Sequence, residues 1–249
     1  MLFNLSITEL IISVGAVLLA LTFHEFAHGF VAYKLGDQTA YFNGRLTLNP
    51  LKHLDPFGAL CLVFFHFGWA KPVPIDLRNF KNPRRDFALS ALAGPLTNII
   101  FAFISAFFYL LFYNTYKGLA ISGQVSFITN LTYYLALFFS LFHQINLGLG
   151  VFNLLPIPPF DGSRILGVIL PPKLYYAFLK YERNIYWVVV LWLLGGGYVY
   201  RMLLSIPFIA SNAVLSAISR VFYLSGLISD ATTFLSSLML KFWMLLPIF

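Results

Sequence analysis

The sequence predicts an all-α polytopic membrane protein with about six transmembrane or membrane-embedded helices, three of which form a core. Two observations carry this expectation. Charged residues make up only 10% of the chain and hydrophobic residues 59%, with a mean hydropathy of +0.81, whereas a soluble domain has roughly 25% charged residues. The apolar residues also fall into runs long enough to cross ~30 Å of hydrocarbon at about 1.5 Å per residue. The formal charge of +7 does not point to nucleic acid. Lys and Arg gather between the apolar runs, as in the cytoplasmic loops of membrane proteins, so the expected partner is the lipid bilayer. Cys61 is the single cysteine, which excludes an internal disulfide and a thiolate metal cluster.

The whole chain, 1–249, reads as one membrane domain. The first span is expected over 6–33. No Lys or Arg precedes Lys34 and no small-residue cleavage site is evident, so this run reads as a retained span rather than a signal peptide. The segment 34–86 holds eight of the sixteen basic residues, which places it on the cytoplasmic side. Asn49-Pro50, Asp55-Pro56, Lys71-Pro72-Val73-Pro74 and Asn82-Pro83 mark turns in it. Within it, Phe57 to Trp69 is apolar but too short for a span, and reads as a re-entrant or β-hairpin segment. Its edge would suit an extended peptide added as a strand.

The second span is expected over 87–113, opening around Ala93-Gly94-Pro95, and the third over 130–155. Pro156, Pro158 and Pro159 then break the helix, and 156–172 completes a core of 6–172. C-terminal membrane helices are expected within 173–249, over about 185–204 and 206–227, with a last segment, 232–249, that spans or lies in the interface. No internal repeat is visible.

The chemistry centres on His24-Glu25-Phe26-Ala27-His28, an H-E-x-x-H sequence inside the first span. Four residues apart on a helix, both imidazoles share one face, a spacing that suits two nitrogen ligands of one Zn²⁺. Glu25 can then reach a metal-bound water. A catalytic zinc takes a third protein ligand. Glu9, Glu25, Asp161 and Asp230 are the acidic residues in or beside apolar segments. Asp161 stands out because its prolines disfavour regular helix and Gly162 permits close backbone approach. Helix breaks at membrane depth are tolerated where they line a polar cavity. From Ser6 to His24 the helix rises about 27 Å, so a span entering from outside carries His24 to the cytoplasmic side, where Asp161 also falls.

Three motifs in order resemble the site-2 proteases, polytopic zinc metalloproteases that cleave within membranes. They are His24-Glu25-Phe26-Ala27-His28, Gly94-Pro95-Leu96-Thr97-Asn98, and Asn153-Leu154-Leu155-Pro156-Ile157-Pro158-Pro159-Phe160-Asp161-Gly162. Gly44 to Pro50 and Gly68 to Pro74 are similar to loop elements of the compact bacterial and archaeal branch, which lacks appended soluble domains. The resemblance implies one Zn²⁺ per chain held by His24, His28 and Asp161, with Glu25 as general base. It also implies that Asn153 and Asn98 help hold substrate or the oxyanion. Single-span transmembrane proteins are the implied substrates. A multi-pass location in the cell (inner) membrane follows, with the active site toward the cytoplasm. The oligomeric state is left open.

Two other functions fit parts of the pattern. Histidines and a carboxylate inside spans also suit a metal-ion transporter, though ligands spread along a path and a repeat would then be expected. A catalytically inactive partner-binding homologue would not need Glu25, which adds nothing to metal ligation. His53, His66 and His143 read as packing or interfacial residues, and Arg84 and Arg85 as topology determinants.

Overall fold

The computed structural model describes residues 6–58, 70–123, 126–220 and 223–248. The fold is all-α: among the described residues there are ten α-helices and no β-strand, only an isolated antiparallel bridge between Leu54 and Ala70. The re-entrant or hairpin segment expected over 57–69 lies outside the described residues from 59 onward, as do Cys61 and His66.

Helix α1 runs Ile7–Lys34. Ser6 and Glu9 start it with a reciprocal capping box, satisfying two of the amides that a helix start leaves without partners. Glu9 also accepts from the Tyr133 hydroxyl at 3.1 Å. Gly36, at φ 113°, takes the left-handed turn that lets the chain leave the helix. A short helix, α2 (Thr39–Phe42), follows.

Asp37, fully buried, ties this corner together. It accepts from the Thr39 amide and hydroxyl, the Asp76 amide and the Asn79 side chain. Burial alone would raise its carboxyl, but these donors hold it below the usual carboxylate range.

Helix α3 runs Pro83–Ile121 and α4 Phe127–Asn153. Together with α1 they are, among the described residues, the three unbent helices long and apolar enough to cross a membrane. They pack mutually, α3 along α4 most extensively. Ala16 and Ala20 of α1 are fully buried with Phe142 of α4 at the centre. Small side chains let membrane helices approach closely and gain dispersion contacts. The second span differs from its expected bounds. Gly94-Pro95 lies deep inside α3 rather than at its start, because Pro83 opens the helix and Asp86 accepts from the Asn82 amide at 2.9 Å. At the other end nothing breaks the helix until Gly123, at φ 71°.

Beyond α4 the proline-rich stretch forms turns, followed by α5 (Gly162–Ile169) and α6 (Pro172–Lys180). Helix α7 (Glu182–Leu204) is bent by 52° between Leu193 and Gly195, and counts as a fourth span if the bent pair is one. The expected span over 206–227 is instead broken. Pro207 opens α8 (Pro207–Ser211), and the Asn212 carboxamide caps α9 (Ala213–Ser219) by accepting from the Val214 and Leu215 amides. Helix α10 (Leu224–Trp243) has 20 residues but carries Asp230, Lys241 and several Ser and Thr, and is not apolar enough to count as a span. It docks on the core through Trp243 Nε1 donating to the Phe103 carbonyl, and Ser236 bonding His143.

Two neighbouring glycines separate helix propensity from packing. A Cβ at Gly148 meets nothing within 4 Å, whereas one at Gly150 falls 2.9 Å from Ile99 Cγ1 and 3.2 Å from the Pro95 carbonyl oxygen. Gly148→Ala should leave thermal stability in detergent unchanged or raise it by up to about 1 kcal/mol. Gly150→Ala should lower it by about 1–3 kcal/mol. Equal effects at both positions would contradict this packing.

Candidate metal centre

α1 brings His24 and His28 onto one face, both buried. Their Nε2 atoms are 3.0 Å apart. Asp161 reaches the same point from the turn before α5, its Oδ2 3.2 Å from each Nε2. Of the four acidic residues weighed in the sequence, this is the one the fold delivers to the histidines. Glu9 is used on the helix cap, and Asp230 sits on α10 beside Arg220 and Tyr223. Asp161 occupies the N-cap position of α5 but makes no side-chain capping bond, which leaves its carboxylate for the histidines.

The hydrogen bonds around this group test whether a metal fits. His28 Nδ1 lies 2.8 Å from the Ser90 carbonyl oxygen and His24 Nδ1 2.5 Å from Asn98 Oδ1. Both partners are acceptors, so each Nδ1 carries a proton, and Nε2 is the nitrogen each ring turns inward, the one able to bind a metal. Asp161 Oδ2 is buried and has no hydrogen-bond donor among the described residues. Two ring nitrogens and a carboxylate oxygen thus converge, all within 4.8 Å of one another. Two imidazoles and a carboxylate are a donor set that suits Zn²⁺, and the residues present fit that ion.

Glycines make the approach possible. A Cβ on Gly94 would lie 2.4 Å from His28 Nε2 and 2.7 Å from His24 Cε1, in the space where the two rings converge. One on Gly162 would lie 2.3 Å from the Leu154 carbonyl oxygen. Gly162 thus lets the chain after the prolines fold back tightly on the end of α4, which is what carries Asp161 toward α1. Pro95 contributes as well. Lacking an N–H, it leaves the Ala91 carbonyl without its helical donor, loosening the ladder beside the Ser90 carbonyl that takes His28.

Glu25 is half-buried on the side of α1 facing the loop. Its Oε2 accepts from the Val73 amide at 2.9 Å. Pro72 and Pro74 have no amide to offer, and Arg45 Nη2 fixes this extended stretch by donating to the Lys71 and Pro72 carbonyls at 2.6 and 3.4 Å. Gly29 lets Val73 lie against α1, since a Cβ there would be 3.1 Å from Val73 Cγ1.

The two asparagines differ in their surroundings. Asn98 is fully buried. Its oxygen takes His24, and its nitrogen donates to Asn146 and Ala20, so no N–H remains for an oxyanion. Asn98 therefore supports the centre through His24. Asn153 is half-buried at the end of α4 and donates to the Leu149 carbonyl at 3.1 Å. His53 bonds the Thr47 carbonyl and His143 links Ala102 to Ser236; neither joins the group. Sequence reasoning missed Asn146, Gly94 and the Val73 amide. Asn146 carried a usable signal, as a carboxamide inside a span two helical turns before Asn153.

The model of peptidase family M50 matches residues 12–196. The chain belongs to this family. The site-2 protease resemblance is thereby confirmed, and the chain is an integral membrane peptidase. Several curated proteins are similar to this M50 peptidase. "Putative zinc metalloprotease YwhC" of Bacillus subtilis is 47% identical over 156 residues, covering 63% of this chain and 68% of that protein. "Putative zinc metalloprotease MJ0611" of Methanocaldococcus jannaschii is 33% identical over 167 residues, 66% of this chain and 73% of its own. "Putative zinc metalloprotease Rip2" of Mycobacterium tuberculosis is 26% identical over 232 residues, 91% and 78% respectively. No solved structure matches the chain.

Gly94→Ala gives a direct check on the geometry. The added methyl competes with both imidazoles for one space, so the purified variant should fold but bind little or no zinc by elemental analysis. Zinc content equal to that of the unmodified protein would contradict the proximity of α3 to the two rings.

Proposed function

We propose that this intramembrane zinc metalloprotease hydrolyses a peptide bond within or near the transmembrane segment of single-span membrane proteins, using one Zn²⁺ per chain. The observation that carries this is the convergence of His24 Nε2, His28 Nε2 and Asp161 Oδ2 within 3.2 Å of one another, with Glu25 one residue along the same helix. His24, His28 and Asp161 hold the metal. When bound, zinc supplies a Lewis acid that polarises a carbonyl and acidifies water. Glu25 is the general base: it takes a proton from water and returns it to the leaving amine. The Val73 amide holds one Glu25 oxygen, which favours a single rotamer and leaves the other oxygen for this transfer. Asn153 keeps an amide hydrogen beyond its bond to Leu149 and donates to the oxyanion without adding a second charge.

The substrate must be extended where it is cut, because a helical carbonyl is already hydrogen-bonded and shielded. The charge of the 34–86 segment favours a cytoplasmic position for that loop, hence a centre toward the cytoplasmic face of the cell (inner) membrane. A transporter is disfavoured because the three groups meet at one point rather than lining a path. An inactive homologue is disfavoured because Glu25 is present and held.

Glu25→Gln should retain zinc while losing cleavage of a purified single-span model substrate by about 10²-fold or more, and His28→Ala should lose both. With the unmodified enzyme, the cut mapped by mass should lie in the cytoplasmic half of the substrate's span. Undiminished cleavage by Glu25→Gln would refute its role as base, and a cut on the outer side would refute the orientation.

A further inference from the structure

Asn146 lies on α4, fully buried, and has no bond to the metal-binding group. Its amide nitrogen donates to the Phe142 carbonyl at 2.8 Å, and its oxygen accepts from Asn98 Nδ2 at 2.7 Å. Asn98 Oδ1 in turn accepts from His24 Nδ1. We propose that Asn146 is a positioning residue for the zinc centre: through Asn98 it decides which nitrogen of His24 is free to bind metal.

The direction of this relay follows from its fixed end. A backbone carbonyl has only lone pairs, so Asn146 must turn its nitrogen toward Phe142. Its oxygen is then left to face Asn98. Asn98 must answer with its nitrogen, which presents its oxygen to His24. His24 must therefore hold its proton on Nδ1, and Nε2 is left bare. The order is set at α4, passes through α3 and is read out on α1.

His28 needs no such device. Its Nδ1 meets the Ser90 carbonyl, which cannot rotate. A carboxamide can flip, and in the flipped state Asn98 would point N–H groups at His24 Nδ1 and drive the proton to Nε2, where it blocks the metal. Among the described residues, the only other restraint on the Asn98 nitrogen is a 3.4 Å contact with the Ala20 carbonyl, at the weak end of hydrogen bonding. Asn146 is thus the group that makes the two orientations of Asn98 unequal.

This inference rests on the zinc reading of His24, His28 and Asp161. It is tested on the full-length protein in detergent by chelator competition, which yields a zinc dissociation constant. Asn146→Leu should weaken zinc binding about 10- to 100-fold, the range for partners that orient a metal-bound histidine. Asn98→Asp combined with Asn146→Leu should restore affinity to near that of the unmodified protein, because a carboxylate accepts from His24 Nδ1 through either oxygen and needs no orienting partner. Unchanged affinity in Asn146→Leu overturns the proposal. So does a double variant as weak as Asn146→Leu, since the leucine remains and its effect would then be one of packing. If Asn146→Leu does not fold, Asn146→Ser is measured alone and combined with Asn98→Asp. Its hydroxyl can donate to Phe142 but is too short for Asn98, and the same two outcomes decide. An unmodified protein without zinc affinity would overturn the underlying metal reading and is distinguished by that control.

Discussion

Two imidazole nitrogens and a carboxylate oxygen, each with a bare lone pair, face one another at about 3 Å in the interior of the helix core. Among the described residues Asp161 Oδ2 has no hydrogen-bond donor, and a cation held among the three atoms would satisfy them together. The rest of the structure can be understood as what keeps these groups from turning away. Both outer ring nitrogens are held by acceptors on α3, and Asp161 is held by a turn folded against the end of α4.

Close approach is the means. Ala16, Ala20, Gly94, Gly150 and Gly162 stand where helices or turns meet, and at the glycines a methyl group would overlap a neighbour. In a bilayer there is little hydrophobic force between helices, so dispersion at short range and buried hydrogen bonds carry the association. The same contacts that hold the spans together bring Ser90, Asn98 and Asn146 within reach of α1. Packing and site construction are therefore one problem here. The loop after α1 solves a separate one: Asp37 and Arg45 fix an extended stretch whose single available amide, at Val73, holds Glu25.

The three spans and the H-E-x-x-H site were legible because they rest on local rules. Apolar length marks a span, and four-residue spacing puts His24 and His28 on one face. Asp161 was legible for a related reason, as an acid at a helix break. Tertiary pairing was not. Gly94-Pro95 resembles a helix start, and only the packing of α3 against α1 shows that the glycine makes room for two imidazoles. Asn98 looked outward to substrate from its motif, yet its partners lie 74 and 48 residues away in sequence. In the C-terminal part, apolar content alone does not register the helix breaks at Pro207 and Asn212.

X-ray absorption at the zinc edge tests the central claim most directly. With one zinc per chain, the first shell should contain only nitrogen and oxygen at about 2.0–2.2 Å, with outer-shell scattering from two imidazoles. Asp161→Ala should keep both imidazoles, and His24→Ala should leave one. A sulfur shell near ~2.3 Å, or an unchanged two-imidazole signal in His24→Ala, would contradict a centre built from His24, His28 and Asp161.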